Sequence, residues 1–366
     1  MKLTLKPARP ALAAVVAALA LASSSPRAQN ARAPQNADRA PLDVARVLAA
    51  KYPAAPIMSY IPATAWSNAF RLAELTGEAA WRDKPRREMQ PFIDGSTPAI
   101  VAPGVLTSLA GHLAFADAAR LDGNTAAGAL AQKAADFILP QTPDEIVRVP
   151  RKWTDDMFMA TSVWARVGGA TKDPKYGAAA GKLLTSYAAA LQRPDGIFVH
   201  ALEGPHAWGR GNGFALLGLT EALTYLPDDW PDRPRVLEIY RKHLRALLPL
   251  QSDDGSWRQV VDEPTSYREL TVTAMTTAAI ARGLQRGWLD AATYRPVVDR
   301  AWKAVAARVD AAGSVHDVCS GTGAMPTKEY YMTRPAVNGP DDRGGSMALL
   351  AAIEMETLQR GGGSPR

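Results

Sequence analysis

A short turn motif recurs in the second half of the chain and limits the folds that the chain can adopt. The pattern Leu-Gln-x-x-Asp-Gly ends at Gly196 and again at Gly255, and a weaker copy ends at Gly313. These glycines are separated by 59 and 58 residues. Each copy follows an amphipathic helical pattern, and its glycine suits a turn with positive φ. A period of about 58 residues leaves room for two helices and their connections.

Two kinds of helical segment alternate between these turns. Segments of the first kind are rich in Ala, Gly, Ser and Thr and poor in charge, which predicts helices that are buried on most sides. They are 60–75, 105–121, 155–170, 212–226, 271–287 and 345–359. Segments of the second kind are more polar, as expected of helices on the outside: 125–139, 175–191, 233–250 and 291–309.

Six buried inner helices that alternate with six outer ones form a closed ring. Residues 29–366 hold nearly six periods, so the spacing predicts an all-α fold, the (α/α)6 toroid, as a single domain over residues 41–366. An open α-solenoid is the alternative, but the low similarity between units and the apolar inner segments favour closure. Strand patterns are weak, with a short hairpin at most over 197–200. Residues 29–40 have the character of a flexible lead-in.

The first 28 residues have the pattern of a secretory signal peptide. Basic residues within 1–9 precede an apolar run over 11–22, and small residues follow. The run is shorter than the roughly 20 apolar residues that a membrane-spanning helix needs. We therefore expect cleavage after Ala22 or Ala28, a periplasmic or secreted protein, and no membrane association after cleavage.

The charge of the chain gives little support for nucleic-acid binding. Its formal net charge is +6, but residues 1–28 contribute four basic residues and no acidic ones. No dense run of Lys and Arg is left in residues 29–366. An apolar content of 47% excludes a disordered chain. The single cysteine, Cys319, excludes a disulfide scaffold and a CxxC metal site, and we expect it to be a small buried residue.

In a closed ring the inner helices run in the same direction, so the loops before them meet at one mouth. Six helix N-termini at this mouth favour an anionic ligand. Arg210 adds a guanidinium fork for a carboxylate, and aromatic side chains offer faces for a sugar ring. The residues expected at the mouth are Trp153, Asp155, Asp156, His200, Trp208, Arg210, Asn212, Phe214, Tyr267, Glu269, Arg334, Asn338 and Asp341.

These residues also have purely structural interpretations. Asp155 or Asp156 can cap the third inner helix, Arg210 and Asn212 can form a turn and a cap, and His200 can be a buried core histidine. Two adjacent carboxylates after an aromatic residue are less readily explained by capping alone. Metal, nucleotide and serine-nucleophile motifs do not occur in a supporting context, so the sequence predicts no metal ion and no cofactor.

Several motifs occur in an order and spacing that are typical of one group of enzymes. They are Trp153-Thr-Asp155-Asp156-Met-Phe-Met159, Gly196-Ile-Phe-Val-His200, Trp208-Gly-Arg210-Gly-Asn212-Gly, Asp254-Gly255-Ser-Trp257-Arg-Gln259, Val318-Cys-Ser-Gly-Thr322-Gly, Glu329-Tyr-Tyr331 and Arg334. With these motifs, residues 57–360 resemble the unsaturated glucuronyl and rhamnogalacturonyl hydrolases, glycoside hydrolase families 88 and 105, and family 105 more closely.

This resemblance implies a six-hairpin toroid and an enzyme that removes a 4,5-unsaturated uronic acid from the non-reducing end of polysaccharide-lyase products. The family hydrates the C4=C5 enol ether and does not displace at the anomeric carbon with a carboxylate pair. Asp155 matches the general acid/base, and Arg210 is expected to meet the uronate or to orient the water. The other expected substrate-binding residues are Trp153, Asp156, His200, Trp208, Asn212 and Phe214. The expected partner is an unsaturated uronic-acid oligosaccharide.

The chain departs from the family at two places. Phe214 stands where a Trp is usual, and residues 106–112 lack a carboxylate that the second inner helix often supplies. Asp94 and Asp156 are the candidates to replace it. Two other functions stay open. One is a conventional inverting glycosidase in which Asp155 and Glu269 lie roughly 6.5–9.5 Å apart, and the other is a non-catalytic sugar-binding toroid.

Overall fold

Helices make up most of the regular structure in the computed structural model, which describes residues 37–101 and 104–361. In chain order the α-helices are α1 (Pro41–Lys51), α2 (Tyr60–Thr76), α3 (Asp83–Ile93), α4 (Leu106–Leu109), α5 (Leu113–Asp122), α6 (Thr125–Ile138), α7 (Thr154–Thr171), α8 (Pro174–Leu191), α9 (Gly209–Tyr225), α10 (Arg233–Leu247), α11 (Leu270–Gln285), α12 (Ala291–Ala306), α13 (Lys328–Met332) and α14 (Asp342–Gln359). Short 3₁₀ turns lie at Ala79–Arg82, Ala110–His112 and Leu248–Leu250.

Six of these helices form a closed inner ring. In the order α2, α5, α7, α9, α11 and α14, each inner helix packs against the next, and α14 returns to α2. The outer helices α1, α3, α6, α8, α10 and α12 each pack on an inner neighbour. This arrangement confirms the all-α, six-hairpin toroid that the repeat spacing predicts.

The inner helices all begin at one end of the ring and finish at the other. We call the end formed by the connections before α2, α4, α7, α9, α11 and α14 the mouth, and the opposite end the floor. Side chains cap several helix starts at the mouth: Glu269 accepts a hydrogen bond from Val272 N, and Asp341 from Gly344 N, both at 2.8 Å. Such caps satisfy backbone N–H groups that have no partner inside the helix.

A ring of ion pairs, closed by one hydrogen bond, joins the inner helices toward the floor. Each inner helix contributes one charged side chain, the signs alternate, and neighbouring side chains pair in the order Arg71, Glu354, Arg282, Glu221, Arg166 and Asp117. The remaining gap is closed by Ser67 of α2, whose hydroxyl donates to Asp117 Oδ2 at 2.5 Å. We call these six side chains the floor ring, and none of them is more than 9% exposed.

The recurring Asp-Gly motif forms the predicted turns. Gly196, Gly255 and Gly313 have φ angles of 99°, 90° and 74°. At the second turn a Cβ atom on Gly255 would lie 2.2 Å from Arg300 O, so α12 packs directly against its backbone. Asp254 Oδ1 closes this turn by accepting a hydrogen bond from Ser256 N at 3.0 Å. Glycine is therefore required there both by φ and by the close approach.

The second inner helix is interrupted, in contrast to the continuous helix expected over 105–121. The 3₁₀ turn Ala110–His112 separates α4 from α5, and His112 Nδ1 lies 2.9 Å from Leu109 O. Gly111 packs so closely on Met58 that a Cβ atom would lie 2.6 Å from the Met58 sulfur. The interruption occurs where Gly111 packs on Met58. A contact between residues that are distant in the chain gives no periodic signal in the sequence.

Two short antiparallel hairpins lie at the mouth, where the sequence predicts at most one, over 197–200. Strand β1 (Trp257–Arg258) pairs with β2 (Arg268–Glu269) before α11, and β3 (Val315–Cys319) pairs with β4 (Ala336–Gly339) before α14. Residues 197–200 contribute an isolated bridge between Phe198 and Gln192 instead. Strands of two to five residues are too short to show a clear alternating pattern.

The expected signal peptide, residues 1–28, lies outside the described residues, as do residues 29–36 of the expected lead-in. Arg39, just before α1, contacts the ring, because its Nη1 donates a hydrogen bond to Val309 O at 2.9 Å. Among the described helices, none has both the length and the apolar character needed to span a membrane.

Candidate active site

Asp155 lies at the mouth, in the first turn of α7. The segment before α7 pairs with the segment before α9, since Trp153 forms a bridge with Ala201 and Thr154 N donates to His200 O at 2.9 Å. This pairing brings the Asp155 carboxyl to His200, with Oδ2 3.3 Å from Nε2. Asp155 is 9% exposed to solvent, so a ligand at the mouth can still reach the carboxyl.

His200 is fully buried and held by its neighbours. Its Nδ1 lies 3.0 Å from the Tyr331 hydroxyl, and its ring centre is 4.4 Å from that of Trp208 and 5.1 Å from that of Trp153. This packing depends on a glycine at position 211, where a Cβ atom would lie 3.0 Å from the Trp208 ring. The imidazole edge that faces the carboxyl is therefore fixed in place.

Several buried polar atoms at the mouth have no hydrogen-bond partner among the described residues. They include Thr154 Oγ1, Asp155 Oδ2, Asp156 Oδ1, His200 Nε2, Trp208 Nε1 and both amide atoms of Gln259. The approach of Asp155 to His200 is close but lacks the alignment of a hydrogen bond. Because buried polar groups are almost always bonded, this set favours a ligand rich in hydroxyl groups, which both donate and accept.

Asp156 makes a different set of contacts from Asp155. Its Oδ2 accepts hydrogen bonds from Arg151 N at 2.9 Å, Lys152 N at 2.7 Å and the Tyr187 hydroxyl at 2.8 Å. Burial raises the pKa of Asp156 to about 6, against the hydrogen bond from Tyr187, and the charge of Asp155 acts in the same direction as burial. The structure thus uses Asp156 to tie the segment before α7 to α8 and does not bring it into the Asp155–His200 contact.

Asn212 is saturated by protein contacts. Its Oδ1 accepts from Phe198 N at 2.9 Å and lies 3.0 Å from His243 Nε2, while its Nδ2 donates to Phe198 O at 2.9 Å and Trp208 O at 3.0 Å. These bonds hold the segment between α8 and α9 that carries His200. Asn212 therefore positions the site and has no free hydrogen-bonding group left for a substrate.

Arg210 is also engaged, in the first turn of α9. Its two terminal nitrogens donate to Cys319 O at 2.7 Å and Ser320 O at 2.8 Å, and its guanidinium lies 4.7 Å from the centre of the Trp208 ring. Only 2% of Arg210 is exposed. The side chain that the sequence assigns to the uronate or the water thus supports the segment after β3.

The two remaining predicted aromatic residues lie at different depths. Trp153 is partly exposed, and its Nε1 donates to Glu203 Oε1 at 2.8 Å, so its ring can form part of the rim. Phe214 is 1% exposed and packs 5.5 Å from Tyr60 and 5.9 Å from Phe158, measured between ring centres. Phe214 is therefore part of the packed aromatic layer rather than of the rim.

Three further side chains at the mouth were not assigned to the site from the sequence. Tyr331 contacts His200, Tyr60 packs in the aromatic layer, and Arg343 in the first turn of α14 donates from Nη1 to Cys319 O at 3.1 Å. A signal exists for Arg343, because a cation in the first turn of a helix opposes the helix dipole. Tyr331 belongs to the motif Glu329-Tyr-Tyr331, which carries part of the family resemblance, whereas Tyr60 has no signal, since a buried aromatic residue is ordinary core.

Two carboxylates considered as partners for Asp155 have other contacts. Glu269 is fully buried, and its two oxygens accept from Val272 N and Cys319 N, both at 2.8 Å. Asp94 is exposed in the turn after α3. Within residues 37–101 and 104–361, no cluster of three or more His, Cys, Asp or Glu side chains could hold a metal ion.

The chain resembles proteins of one enzyme family over most of its length. The family model described as Glycosyl Hydrolase Family 88 matches residues 37–359. The unsaturated 3S-rhamnoglycuronyl hydrolase of Alteromonas sp. is 31% identical over 216 residues, which cover 56% of this chain and 50% of the relative. The unsaturated rhamnogalacturonyl hydrolase YesR of Bacillus subtilis is 27% identical over 211 residues, covering 55% of this chain and 56% of YesR. The chain spans about half the length of the curated relatives it matches.

Solved structures share the fold along nearly their whole length. A family 105 glycoside hydrolase of C. acetobutylicum aligns with a TM-score of 0.76 at 19% identity and covers 87% of this chain and 99% of that one. The unsaturated glucuronyl hydrolase of Bacillus sp. GL1 aligns with a TM-score of 0.61 at 16% identity and covers 88% and 96%. With the family model matched from the first described residue almost to the last and the same toroid in these structures, the chain belongs to glycosyl hydrolase family 88.

Proposed function

We propose that this chain removes a 4,5-unsaturated uronic acid from the non-reducing end of polysaccharide-lyase products. The observation that carries the proposal is the Asp155 carboxyl, which lies at the mouth 3.3 Å from His200 Nε2. A carboxyl that is fixed beside aromatic rings and remains open to a ligand suits proton transfer to a sugar. The substrate class is supported by the names of both curated relatives, which are unsaturated rhamnoglycuronyl and rhamnogalacturonyl hydrolases.

The proposed reaction is a hydration in which Asp155 acts first as acid and then as base. The electron pair of the C4=C5 enol ether takes the Asp155 proton at C4, and water adds at C5 while the carboxylate takes a proton from it. The hemiketal opens to a ketone at C5 and leaves a hemiacetal at C1, which expels the aglycone as an alcohol. Water is consumed and the carboxyl regains its proton, so the reaction balances.

The neighbours of Asp155 divide into contacting and positioning residues. His200 faces the carboxyl and can share its proton, and Tyr331 holds the imidazole through Nδ1. Trp208 is only 1% exposed, and its ring packs against His200 and the Arg210 guanidinium, so it positions His200, while its buried Nε1 has no hydrogen-bond partner among the described residues. Asn212 acts through the backbone that it holds, without contacting the substrate.

The contacts of Glu269 do not support a conventional inverting glycosidase. That mechanism needs a second carboxylate that is free to activate a water molecule. Both Glu269 oxygens accept backbone N–H bonds at 2.8 Å, and the side chain is fully buried. A single carboxyl, as in the hydration proposed for Asp155, is the better fit to these contacts.

The non-catalytic alternative rests on the second inner helix, which has no carboxylate over residues 106–112. Neither proposed replacement joins the Asp155–His200 contact, because Asp94 is exposed and Asp156 is bonded to Tyr187. The hydration itself needs one group that gives and then takes a proton. Turnover, rather than binding, therefore separates the two functions.

The test is to incubate the purified protein with a panel of unsaturated disaccharides in D₂O, beside saturated disaccharides with the same aglycones. We expect the ultraviolet absorbance of the conjugated enol ether to disappear and NMR to show one deuterium at C4, with the saturated controls intact. Release of a sugar that keeps its double bond, or cleavage of the saturated controls, would favour conventional hydrolysis. Tight binding without turnover across the panel would favour the non-catalytic function.

We also propose that the catalytic domain extends over residues 41–366 and that the protein is exported. The leader pattern over 1–28 supports this proposal. N-terminal sequencing of protein recovered from the periplasm or the medium tests it, and we expect a first residue directly after Ala22 or Ala28. An intact N-terminus on cytoplasmic protein would contradict it.

A further inference from the structure

Three arginine side chains converge on the short segment that follows β3. Arg210 donates to Cys319 O at 2.7 Å and to Ser320 O at 2.8 Å, Arg343 donates to Cys319 O at 3.1 Å, and Arg334 donates to Ser320 Oγ at 3.1 Å. Among the described residues, none of the three forms an ion pair with a carboxylate. Their charges are thus held close together without a direct carboxylate partner, although burial, which would lower the pKa of Arg210, is outweighed by Cys319, Glu269 and Asp155, which raise it.

Two features of this arrangement disfavour the close approach of the arginines. Arg210 and Arg343 share one acceptor oxygen, so two like charges lie within a few ångströms of each other. Each is the second residue of an inner helix, α9 and α14, where the helix dipole disfavours a cation. Arg210 is almost completely buried, but its two terminal nitrogens are bonded to carbonyl oxygens. An anionic ligand beside Arg343 would offset the repulsion and the effect of the helix dipole.

Arg343 is the member of the pair that can bind such a ligand. Both terminal nitrogens of Arg210 are already bonded to backbone carbonyls. Arg343 is only partly buried, and its one hydrogen bond to a described residue leaves most of its five donors free. Arg210 therefore fixes the segment, and Arg343 presents a guanidinium fork of the kind that matches a carboxylate.

Tyr60, whose ring lies in the aromatic layer, is within electrostatic range of both Arg343 and Asp155. Burial raises the pKa of Tyr60, while the charges of Arg210 and Arg343 lower it and that of Asp155 raises it. The charges of Arg210, Arg343 and Asp155 thus all act on one tyrosine side chain at the mouth. In a 4,5-unsaturated uronic acid the carboxylate is attached to C5, next to the carbon that is protonated, so a residue that binds it must lie near the carboxyl that gives the proton.

We propose that Arg343 binds the C5 carboxylate of the substrate and so selects acidic over neutral sugars at the mouth. This inference rests on the proposed function. It moves the recognition of the uronate from Arg210, where the sequence places it, to a residue in the first turn of the sixth inner helix. A purely structural role, in which Arg343 only supports Cys319 O, is the alternative that the test must separate.

The test compares one unsulfated unsaturated disaccharide with its C5 methyl ester, which has the same shape but no charge. For the wild type we expect kcat/KM to be about 10- to 100-fold higher for the acid, as for a hydrogen-bonded charge pair. Arg343→Ala should lower the value for the acid to near that of the ester and leave the ester unchanged. Arg343→Lys should recover part of the preference, since it keeps the charge but not the fork. Arg360→Ala, at the other end of α14, is the matched control.

Each outcome decides the inference. Loss of the acid preference in Arg343→Ala, with the ester rate kept, supports it. A wild type that turns over acid and ester equally well overturns it, even if Arg343→Ala does not fold, and so does an Arg343→Ala protein that keeps the full preference. Both of these results leave the proposed function intact. A wild type that turns over neither compound overturns the proposed function and this inference together.

Discussion

The mouth and the floor of the toroid both contain buried polar side chains, but the two regions differ in whether these side chains have bonding partners in the protein. In the floor ring every charge has a partner of opposite sign on a neighbouring inner helix, such as Arg282 Nη1 and Glu221 Oε1 at 2.7 Å. At the mouth, Asp155 Oδ2, His200 Nε2 and Trp208 Nε1 are buried without a hydrogen-bond partner among the described residues. The floor ring is fully paired as folded, whereas the mouth keeps buried polar groups to which a ligand can bond.

Phe158 shows how the two regions are kept apart. Its ring packs against Phe214 and Tyr60 below the mouth, and it also lines a small cavity together with Arg71, Arg166 and other residues of the floor ring. An aromatic layer thus lies between the unpaired groups and the paired ones. We therefore expect substitutions at the mouth to change activity more than stability, and substitutions in the floor ring to do the reverse.

The largest effect is expected at the mouth, for Asp155→Asn. An amide cannot give a proton to C4, so kcat should fall roughly 10²- to 10⁴-fold, as for loss of a general acid. The free energy of unfolding, measured by urea denaturation, should change by about 1 kcal/mol or less, because the amide keeps the shape of the side chain. A variant that is fully active would remove Asp155 from the chemistry.

In the floor ring, Glu354→Gln should show the opposite pattern. Glu354 is fully buried and pairs with Arg71 and Arg282, so its loss leaves Arg71 without a carboxylate partner and Arg282 with Glu221 alone. We expect the free energy of unfolding to fall by about 3–5 kcal/mol, with unchanged turnover per folded molecule. Glu78→Gln breaks an exposed pair with Arg46 and serves as the control, which should leave the urea curve nearly unaltered. If the Glu354→Gln protein were stable but had lost turnover, the separation between a catalytic mouth and a stabilising floor ring would be contradicted.

The same carboxylate predicts a sensitivity to acid. Burial would raise the pKa of Glu354, but Arg282 and Arg71 outweigh it and lower the pKa to about 2. The stability that this lowered pKa contributes is present above the unfolded pKa of about 4.3 and is lost as the pH falls toward 2. Unfolding curves of the wild type and Glu354→Gln should therefore converge in that range.

Asp156 tests the comparison between catalytic and structural carboxyls, because it lies next to Asp155 in the chain but bonds to the protein through Arg151 N, Lys152 N and Tyr187. Its pKa is raised to about 6, so the protonated form is favoured in the folded state, and this stability is lost as the pH rises from about 4 to about 6. Asp156→Asn should therefore gain up to about 3 kcal/mol relative to the wild type over this range. Urea denaturation at several pH values checks it, and a difference that does not depend on pH would contradict it.

The smallest effect is expected for Asp94→Asn. Asp94 is exposed in the turn after α3, where it accepts a hydrogen bond from Ser96 N at 2.9 Å. Turnover of an unsaturated disaccharide should match the wild type, because no contact joins Asp94 to Asp155 or His200. A clear loss of kcat would mean that Asp94 replaces the carboxylate missing from the second inner helix.

Most of the fold could be predicted from the sequence, because the helices and turns of the toroid each have a local sequence pattern. The turns at Gly196 and Gly255 recur at the period of one helical hairpin, and the low charge of the inner segments sets them apart from the outer ones. The interruption at Ala110–His112 could not be predicted, because it involves a contact between Gly111 and Met58 that are far apart in the chain. The hairpins before α11 and α14 were missed because their strands are too short for an alternating pattern.

The candidate site could be predicted in its location more than in its detail. The placement of Asp155 beside His200 follows from motifs that precede inner helices. The uses of Asn212 and Arg210 could not be predicted, since both residue types bind sugars or carboxylates as readily as they bond to backbone. Only the three-dimensional structure shows that Asn212 bonds to the backbone of Phe198 and that Arg210 bonds to the backbone of Cys319.

The most direct measurement is a crystal structure of the Asp155→Asn variant with an unsaturated disaccharide bound. We expect C4 of the unsaturated ring to lie within about 3.5 Å of the side chain at position 155, the separation of reacting atoms poised for transfer. The ring should lie inside the mouth, beside the partly exposed Trp153. A disaccharide bound with C4 turned away from this side chain, or bound at another surface, would contradict the account.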